Sequence, residues 1–562
     1  MSIKLSFLIL SSCSVIFASS VVLAQCNNTR ADAEIARGTV FLDANQNLLK
    51  EPVEFGVAGV VVSNGCNTVL TDSAGDYQIS LAPTEILFIS KPADYSTPVD
   101  ENNIPQFFYR HYPNGTPNEI NGTSVEWLWP VIEPTGILPD SIDFPLFPST
   151  MANENFLAHG FADTQAQYGT GQDMVREELV NPLIGNPYGV KFGLTVGDVV
   201  FDNLDLYERH KAMMGLMDIP QWYLPGNHDM NFESPNGYFA NETYKKHFGP
   251  TYYSFDYGNV HFVMLNNVEY AGEGKDFGRS EYRGYINPIQ LQWLQSDLNH
   301  IPPEKLLVIA SHIPLIAEAN DGISEPTTGP NTENFSELLQ ILEPFEHIYG
   351  LAGHDTSNSF KVEVNHNHGW TGSPWIAHTL AEVRGSGWVR GPKDLRGVRD
   401  AMMEDGNPNG FYVLKFNNTK LTPEFIPFPS GPDGTNRMRI MLDPIIDQAE
   451  GGSIHRGSLS DDTKIVVNLF DGGVRDMVWA SLDGAADQLM TYTVRTDPFI
   501  ELLFEEFLNS DDAYPTPDRS SHIWELPLPA GLNIGLHHIV VSSTDEFGQT
   551  QQGTFSFEIT ND

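Results

Sequence analysis

The chain has 562 residues, 41% of them hydrophobic, and it carries a net charge of −42 at pH 7. This length predicts three or four domains, and the apolar content excludes global disorder. Because nucleic acids and anionic membranes attract clustered lysine and arginine, the acidic charge argues against both as partners.

The N-terminus has the pattern of a secretory signal peptide. One lysine precedes an apolar run that ends in small residues, with Val22 and Ala24 at the −3 and −1 positions of the cleavage site. We predict cleavage after Ala24 (signal peptide 1–24) and a secreted or periplasmic protein. A retained anchor and lipidation at Cys13 are the alternatives. No later segment has the roughly 18 uninterrupted apolar residues of a membrane span, so none is expected after cleavage.

Two cysteines, Cys26 and Cys66, remain after that cleavage. An even number of cysteines in an exported chain favours a disulfide over two unrelated thiols. We therefore predict one Cys26–Cys66 bond, with no cysteine left for metal binding or nucleophilic chemistry.

Short strands dominate the region after the signal peptide. Residues 36–82 alternate apolar and polar side chains between turns rich in Gly, Asn and Asp, a pattern typical of a β-sandwich. Residues 95–150 are rich in Pro, Asn and Gly and are interpreted as the margin of the sandwich and a structured linker. The prediction is one N-terminal domain over residues 25–150, of immunoglobulin-like or prealbumin-like type.

An acidic loop follows the first predicted strand of this domain. Oxygen-bearing side chains occupy its positions 1, 3, 5, 9 and 12, the spacing of a calcium loop, but Leu48 stands where an EF-hand has glycine. The loop fits either a structural calcium site or an uncharged polar turn. Its candidate ligands are Asp43, Asn45, Asn47, Glu51 and Glu54.

Apolar strands alternate with helical patterns over residues 151–380. Residues 192–198 and 306–312 are examples of such strands, and residues 207–217 and 288–300 are examples of the helices. The alternation predicts an α/β or α+β layered domain, and sheets of this kind place their ligands at the carboxyl ends of strands. From about residue 441 the strands become short again, so residues 381–562 are predicted to form a C-terminal β-rich, sandwich-like domain.

Five clusters of metal-binding residue types lie at the ends of the predicted central strands. One polar residue after a strand is usually a turn or a core histidine, but five such clusters in order indicate a metal site. Asp, Asn, Gln and His together suit Mn²⁺, Zn²⁺ or Fe, and glycines before several of them let the backbone approach an ion. The clusters are Asp163-Thr164-Gln165, Gly197 to Asp202, Gly226-Asn227-His228-Asp229, Ser311-His312 and Gly353-His354-Asp355-Thr356.

The order and spacing of these clusters resemble the calcineurin-like metallophosphoesterases. Further segments resemble a bacterial subgroup that carries an added domain at each end; they are residues 38–65, 248–267, 385–416 and 522–548. The resemblance implies a four-layer α/β (α+β) core of two packed sheets flanked by helices. It places this core between an N-terminal β-sandwich and a C-terminal sandwich-like domain.

The resemblance also implies two divalent metal ions (Mn, Zn or Fe) that share Asp198 as a bridging ligand. Asp163 and Gln165 would complete the first metal, and the second metal would take Asn227, His312 and His354. His228 would stabilise charge on the phosphate or donate a proton, oriented by a carboxylate. Asp229 is the second residue predicted to be catalytic, and Asp202 is expected to support the site from outside.

One position departs from the family pattern. The last motif usually reads Gly-His-x-His, but Thr356 stands in place of the second histidine. A hydroxyl is a weak ligand for a transition metal, so the first metal is predicted to bind weakly. Asp355, His366 and His368 are nearby candidates to replace it, although an ordinary surface or loop position is the default for each.

These features predict a hydrolase of ester bonds: an exported metallophosphoesterase that uses a metal-bound hydroxide as nucleophile. A phosphomonoester on a small molecule, lipid or glycan is the favoured substrate, and a phosphodiesterase is the enzymatic alternative. A binding or adhesion protein with a decayed core is the non-enzymatic alternative. Thr356 favours that decay, whereas the intact Asn227 and His312 oppose it.

Overall fold

A computed structural model describes residues 32–149, 155–278, 280–319, 327–384, 388–400, 402–429, 436–444, 456–457 and 459–560. The predicted signal peptide, Cys13 and Cys26 lie outside these residues. Among the described residues, no helix is both long enough and apolar enough to cross a membrane.

The N-terminal region forms two four-stranded sheets. Alternate residues of Asp76–Leu81 are buried, as expected for a strand with one face on a core. Phe144–Pro148, predicted to belong to the linker, pairs in parallel with Glu34–Leu42 and is therefore part of the sandwich. The first sheet has the order Asp76–Leu81, Glu34–Leu42, Phe144–Pro148, Tyr95–Ser96. The second has the order Thr68–Leu70, Val61–Ser63, Glu85–Ile89, Phe108–His111, and Glu119–Ile120 pairs with Thr123–Ser124 outside both sheets.

The central region contains two larger sheets packed face to face. Aromatic rings fill the space between them: Trp222 stacks on Phe255 with ring centroids 4.0 Å apart. The five-stranded sheet has the order Gln221–Leu224, Gly193–Val196, Asn155–Phe161, Gly410–Asn417, Lys420–Pro427. The six-stranded sheet has the order Tyr253–Tyr257, Val260–Leu265, Leu306–Ser311, His347–Ala352, Trp375–Thr379, Phe360–Val364. Two hairpins stand apart, Val268–Tyr270 with Tyr282–Gly284 and Ile316–Ala319 with Thr327–Pro330.

Helices cover the outer faces of these sheets, so the core has the four layers implied by the resemblance. Tyr207–Gly215 contributes Met213 and Met214 to a core shared with the five-stranded sheet, and Pro288–Leu298 buries Leu291 and Leu294 beside the six-stranded sheet. Both helices were predicted. The other helices are Gly169–Val175, Asn181–Leu183, Glu242–Phe248 and Phe335–Leu342, and tighter or wider helical turns span Arg176–Val180, Leu204–Leu206, Asn227–Asp229, Gly237–Phe239 and His366–His368.

The central sheet continues past the domain boundary predicted at residue 380. Gly410–Asn417 pairs antiparallel with Asn155–Phe161, and Lys420–Pro427 pairs antiparallel with Gly410–Asn417. The Phe416 ring stacks on the Phe156 ring at 4.5 Å. The chain therefore returns to the central layer after residue 380 before it enters the C-terminal domain.

The C-terminal domain is a second β-sandwich with one helix. Its core includes Val467, Val478, Trp524 and Val541 from the two facing sheets. One sheet has the order Met438–Asp443, Lys464–Leu469, Arg519–Pro527, Thr491–Thr496. The other has the order Arg456–Gly457, Thr550–Ile559, Gly535–Thr544, Met477–Leu482, Gln488–Leu489, and the helix spans Pro498–Phe507.

Candidate metal centre

The predicted ligands meet at one edge of the two central sheets. Asn155–Phe161, Gly193–Val196 and Gln221–Leu224 run parallel, as do the central strands of the other sheet, so their carboxyl ends share an edge. Each ligand follows one of these strands within a few residues. Five of the six are almost fully buried, and His354 is only partly exposed. The ligands are Asp163, Gln165, Asp198, Asn227, His312 and His354.

Four donor atoms converge at the centre of this edge. His312 Nε2 lies 3.0 Å from Asn227 Oδ1 and 3.2 Å from Asp198 Oδ1. His354 Nδ1 lies 2.8 Å from Asn227 Oδ1 and 3.3 Å from His312 Nε2. Within the described chain, Asp198, His312 and His354 form the one group of three acidic, histidine or cysteine side chains close enough to share an ion.

The acceptor atoms of this group favour a positive charge between them, either a proton on His312 or a bound cation. His312 Nδ1 lies 2.9 Å from the carbonyl oxygen of Val196, to which it donates, so Nε2 of a neutral ring carries a lone pair. That lone pair faces the oxygens of Asp198 and Asn227, and such acceptors do not approach one another without a proton or a cation between them. The pKa of His312 also indicates that a positive charge is favoured here. Burial lowers this pKa, but the Asp198 carboxylate outweighs burial and raises it to about 9. The donor set therefore fits a divalent cation.

Asp198 lies between two groups of ligands. Its Oδ1 faces His312 and accepts the backbone N–H of His228 at 2.9 Å, whereas its Oδ2 contacts the side-chain amide of Gln165. Asp163 lies on the same side as His354, whose backbone N–H donates to Asp163 Oδ2 at 3.0 Å. This arrangement suits a carboxylate shared by two cations, one of which Asp163 and Gln165 would hold.

Three glycines make the close approach of these ligands feasible. A methyl group on Gly226 would overlap Asp198, one on Gly197 would overlap the His312 ring, and one on Gly353 would overlap the carboxylate of Asp163. Each glycine precedes a ligand in sequence and leaves space for a ligand from another strand. This explains the Gly-Asp, Gly-Asn and Gly-His pairs of the motifs.

The backbone is strained at the same positions. Non-glycine residues rarely adopt positive φ, yet several adopt it around this site, where the surrounding structure must hold them. The residues with positive φ are Asp163 (51°), Gln165 (41°), Asp198 (49°), Asp202 (60°) and His354 (71°).

His228 lies at the open side of the site. Its Nδ1 is 2.7 Å from Asp202 Oδ1, and its ring stacks on Phe201 with centroids 4.0 Å apart. The side chain keeps 23% of its surface exposed. Burial lowers the pKa of His228, but the carboxylates of Asp198 and Asp202 outweigh burial and raise it above the ordinary value. Asp202 is therefore the carboxylate that orients the His228 ring, through the contact with Nδ1.

The structure corrects the catalytic role predicted for Asp229. This carboxylate is fully buried, and its Oδ2 accepts the backbone N–H groups of Gly226 at 2.8 Å and Val199 at 3.0 Å. Its Oδ1 accepts the hydroxyl of Tyr207 at 2.8 Å. Both oxygens are therefore committed to joining the loops that carry Asp198 and Asn227, so Asp229 is a positioning residue.

Tyr282 is a neighbour of the site that sequence reasoning left unassigned. Its ring lies 6.1 Å from the His354 ring, nearly perpendicular to it. It stands on a hairpin, follows no metal motif, and only the folded chain brings it here. Several other aromatic and arginine side chains of the central region have structural roles. Arg283 pairs with Glu269 and Glu333, and the residues with buried side chains are Trp370, Trp375, Trp388 and Arg384.

The predicted calcium loop forms several hydrogen bonds within itself, and Glu54 Oε1 is a buried oxygen that has no partner among the described residues. Asp43 is fully buried, and its Oδ2 accepts the backbone N–H of Leu48 at 2.8 Å. The ammonium of Lys50 donates to the backbone carbonyls of Glu51 at 3.1 Å and Glu54 at 2.7 Å. These contacts are those of a polar turn. Calcium binding by Asp43, Asn45, Asn47, Glu51 and Glu54 stays a prediction.

Thr356 follows the ligand His354 by two residues and is half-buried. Neither Asp355, His366 nor His368 belongs to the ligand group found among the described residues. Asp355 Oδ1 instead accepts the backbone N–H groups of Ser357 and Asn358 at 3.0 and 3.2 Å. The first metal thus keeps Asp163, Gln165 and Asp198 as its candidate ligands.

We expect Thr356→His to strengthen binding of the first metal, because imidazole is a better ligand than a hydroxyl. The Mn²⁺ concentration that gives half-maximal rate should fall by about tenfold, which is within the change in metal affinity that single residues around a metal site produce. Titration of activity with Mn²⁺ measures it. The control is His366→Ala, which should leave the midpoint unchanged. A higher midpoint in His366→Ala would show that His366 completes the site.

The chain matches two family models. Residues 48–124 match the model described as the N terminal of calcineurin-like phosphoesterase, and residues 378–551 match the C terminal of the same family. Between these segments lies the centre that suits divalent cations. The protein is a metal-dependent hydrolase of phosphoester bonds, and it belongs to the calcineurin-like phosphoesterases with added domains at both ends.

Among solved structures, the chain is similar to a purple acid phosphatase from seeds of yellow lupin (Lupinus luteus). The two are 14% identical in sequence, with a TM-score of 0.32, and the match covers 70% of this chain and 67% of the other. A search of curated proteins finds no significant match.

Proposed function

We propose that the protein is an exported phosphomonoesterase that depends on two divalent cations. The observation that carries the proposal is the convergence of donor atoms from Asp198, Asn227, His312 and His354, a set of residue types that suits a divalent cation. Asp163 and Gln165 extend the set toward a second cation through the shared Asp198. When bound, the two cations would lower the pKa of a water molecule and neutralise charge on the phosphoryl group.

His228 supplies the acid–base chemistry of this proposal. The alcohol group of a phosphoester leaves as an alkoxide unless its oxygen receives a proton. A partly exposed imidazolium beside the metal ligands can donate that proton. Asp202 holds Nδ1 of the ring, which leaves Nε2 to face the substrate. Phe201 restricts the ring further by stacking on it. The three residues together orient one proton at the open side of the site.

The reaction class is tested with p-nitrophenyl phosphate and bis(p-nitrophenyl) phosphate in Mn²⁺, Zn²⁺, Fe²⁺ and Ca²⁺, with Asn227→Ala as the inactive control. We expect faster hydrolysis of the monoester, and phosphorylated sugars and lipid headgroups would then narrow the substrate. Faster hydrolysis of the diester would make the protein a phosphodiesterase. No hydrolysis, together with metal content well below one ion per chain, would indicate a decayed core.

Export is supported by the apolar N-terminal run and its small-residue ending, and it predicts a Cys26–Cys66 disulfide. Cys66 is half-buried in the N-terminal sandwich. The bond would stabilise the protein by about 2–4 kcal/mol. Mass analysis of non-reduced peptides from secreted or periplasmic protein should find the two cysteines linked and the mature chain starting at Gln25. Two free thiols in that material would contradict the disulfide, and an intact Met1 would contradict cleavage.

A further inference from the structure

A cavity of about 450 Å³ lies between the N-terminal sandwich and the central domain, away from the metal ligands. Its volume is within the range of about 300–1,000 Å³ that small-molecule sites occupy, and such sites favour domain junctions. None of the six candidate metal ligands lines it. We propose that it binds a neutral carbohydrate, independently of the phosphoesterase reaction.

Contacts between the two domains hold the cavity open in one shape. The Tyr252 hydroxyl donates to the carbonyl of Gly65 at 2.5 Å, and the Tyr238 hydroxyl donates to the carbonyl of Thr84 at 3.2 Å. Phe88, which lines the cavity, also meets the ring of Trp293 in the central domain at 6.1 Å. A ligand would therefore enter a largely formed site, with little ordering required.

The charges around the cavity disfavour an ionic ligand. Lys245 is the one cationic side chain among the described lining residues, and its ammonium already pairs with the buried Glu242 at 2.8 Å. A phosphate would therefore find no unpaired cation. A cationic ligand is also disfavoured, because both carboxylates that line the cavity are engaged: Glu269 pairs with Arg283 at 2.6 Å, and Glu85 accepts the backbone N–H of Ala82 at 2.8 Å. The Tyr238 and Tyr285 rings are covered in turn by Lys245 at 5.2 Å and Arg283 at 4.6 Å.

The remaining polar groups suit hydroxyl groups. Asn241 lines the cavity and is only 6% exposed; its Oδ1 accepts from Asn266 at 3.3 Å, but its Nδ2 has no acceptor among the described residues. The Tyr285 hydroxyl also makes no hydrogen bond with any residue that the structure describes. Each is a group that a sugar hydroxyl can satisfy.

The apolar part of the lining suits the face of a sugar ring. Ile86 and Phe88 of the sandwich and Tyr252 of the central domain contribute apolar or aromatic surface to the same cavity. Sugars present carbon-bound hydrogens on one face and hydroxyls at the edge, so a site with an aromatic wall and amide groups complements both. A neutral carbohydrate is thus the ligand class that uses the unpaired amide, the hydroxyl and the apolar wall together.

Saturation-transfer difference NMR on the full chain tests the proposal. The probes are methyl α-glucoside, methyl α-mannoside and N-acetylglucosamine as free sugars, and maltotriose as a glycan chain. At least one probe should receive saturation, and a preference for maltotriose would identify a glycan as the source. Tyr285→Phe and Asn241→Ala should each weaken binding by about three- to tenfold, as expected for one lost hydrogen bond.

The controls separate loss of the site from loss of the fold. Tyr188→Phe removes a hydroxyl from a tyrosine of the central domain that does not line the cavity, and it should bind like the wild type. If Asn241→Ala fails to fold, Tyr285→Phe decides, because only its hydroxyl is lost. Hydrolysis of p-nitrophenyl phosphate should be unchanged in Tyr285→Phe. No saturation of any probe, or equal binding by wild type and Tyr285→Phe, would overturn the proposal.

Discussion

Replacing His312 with alanine is expected to remove both metal binding and hydrolysis, whereas replacing His228 should remove only part of the activity. His312 Nε2 is one of the four atoms that face the candidate cation position, and its loss leaves His354 as the remaining imidazole beside Asp198 and Asn227. We expect the rate to fall by about 10⁴-fold or more, since the cations carry most of the charge stabilisation. Metal content per chain and turnover of p-nitrophenyl phosphate measure the two effects.

His228→Ala should keep the metals, because the His228 side chain lies outside the group of ligand atoms and contacts Asp202 instead. The loss of a general acid typically costs about 10²–10⁴-fold in rate. The effect should shrink with a substrate whose leaving group needs no proton. If His228→Ala lost metal as severely as His312→Ala, the proton-donor role would be wrong.

His261 provides a matched control for the removal of a buried histidine. It is fully buried between Asp256 at 2.6 Å and Asp297 at 3.0 Å, on the first residues of a central strand rather than at its carboxyl end. His261→Ala should lower thermal stability because it leaves the buried Asp297 without its histidine, while Asp256 keeps Lys305 as a partner. Its folded fraction should still bind the metals. Metal loss in both variants would indicate general unfolding.

The ligand positions could be predicted from sequence because each one obeys a local rule. An apolar strand, a small residue and a polar ligand type follow one another at Asp198, Asn227 and His354, and parallel strands bring their ends together. The helices over Tyr207–Gly215 and Pro288–Leu298 were predictable for the same reason, since the pattern lies within one element. These features need no knowledge of distant parts of the chain.

Features that depend on distant contacts could not be predicted in this way. Gly410–Asn417 has the pattern of a strand, but no local signal states that its partner is Asn155–Phe161, some 250 residues earlier. Tyr282 stands near His354 only because a hairpin folds over the site.

Asp229 illustrates a different limit. Its motif neighbours are ligands and a candidate acid, so sequence alone assigns it chemistry, whereas four hydrogen bonds turn its carboxylate into the link between two loops.

The glycine before Asn227 offers a test of the metal centre that removes no ligand. Gly226 has φ −106° and ψ −172°, an extended conformation that alanine adopts without strain. The obstacle is the added methyl group, which would overlap Asp198. Because the overlap includes the backbone nitrogen of Asp198 as well as its carboxylate, Gly226→Ala should displace the loop that carries Asp198 and leave the sheets intact.

We expect Gly226→Ala to weaken metal binding by about 10–100-fold, the effect of disturbing a group that positions a ligand. Hydrolysis at limiting Mn²⁺ should fall accordingly and recover in part at high Mn²⁺, because every ligand is still present. The melting temperature should fall, because the backbone of Asp198 must shift, but the protein should stay folded, since the backbone N–H of residue 226 remains available to Asp229. Isothermal titration with Mn²⁺ and a thermal melt provide the measurements.

Gly473→Ala is the matched control, since the nearest atom to its added methyl group is Glu546 Oε1 at 3.9 Å, an ordinary contact. It should equal the wild type in metal affinity and rate. If Gly226→Ala also kept the affinity of the wild type, Asp198 would have room to move without cost, and the tight approach of the two loops would not determine the position of the metals. Weaker metal binding in a folded protein, with activity that recovers at high Mn²⁺, would instead show that the loop glycines position the shared ligand.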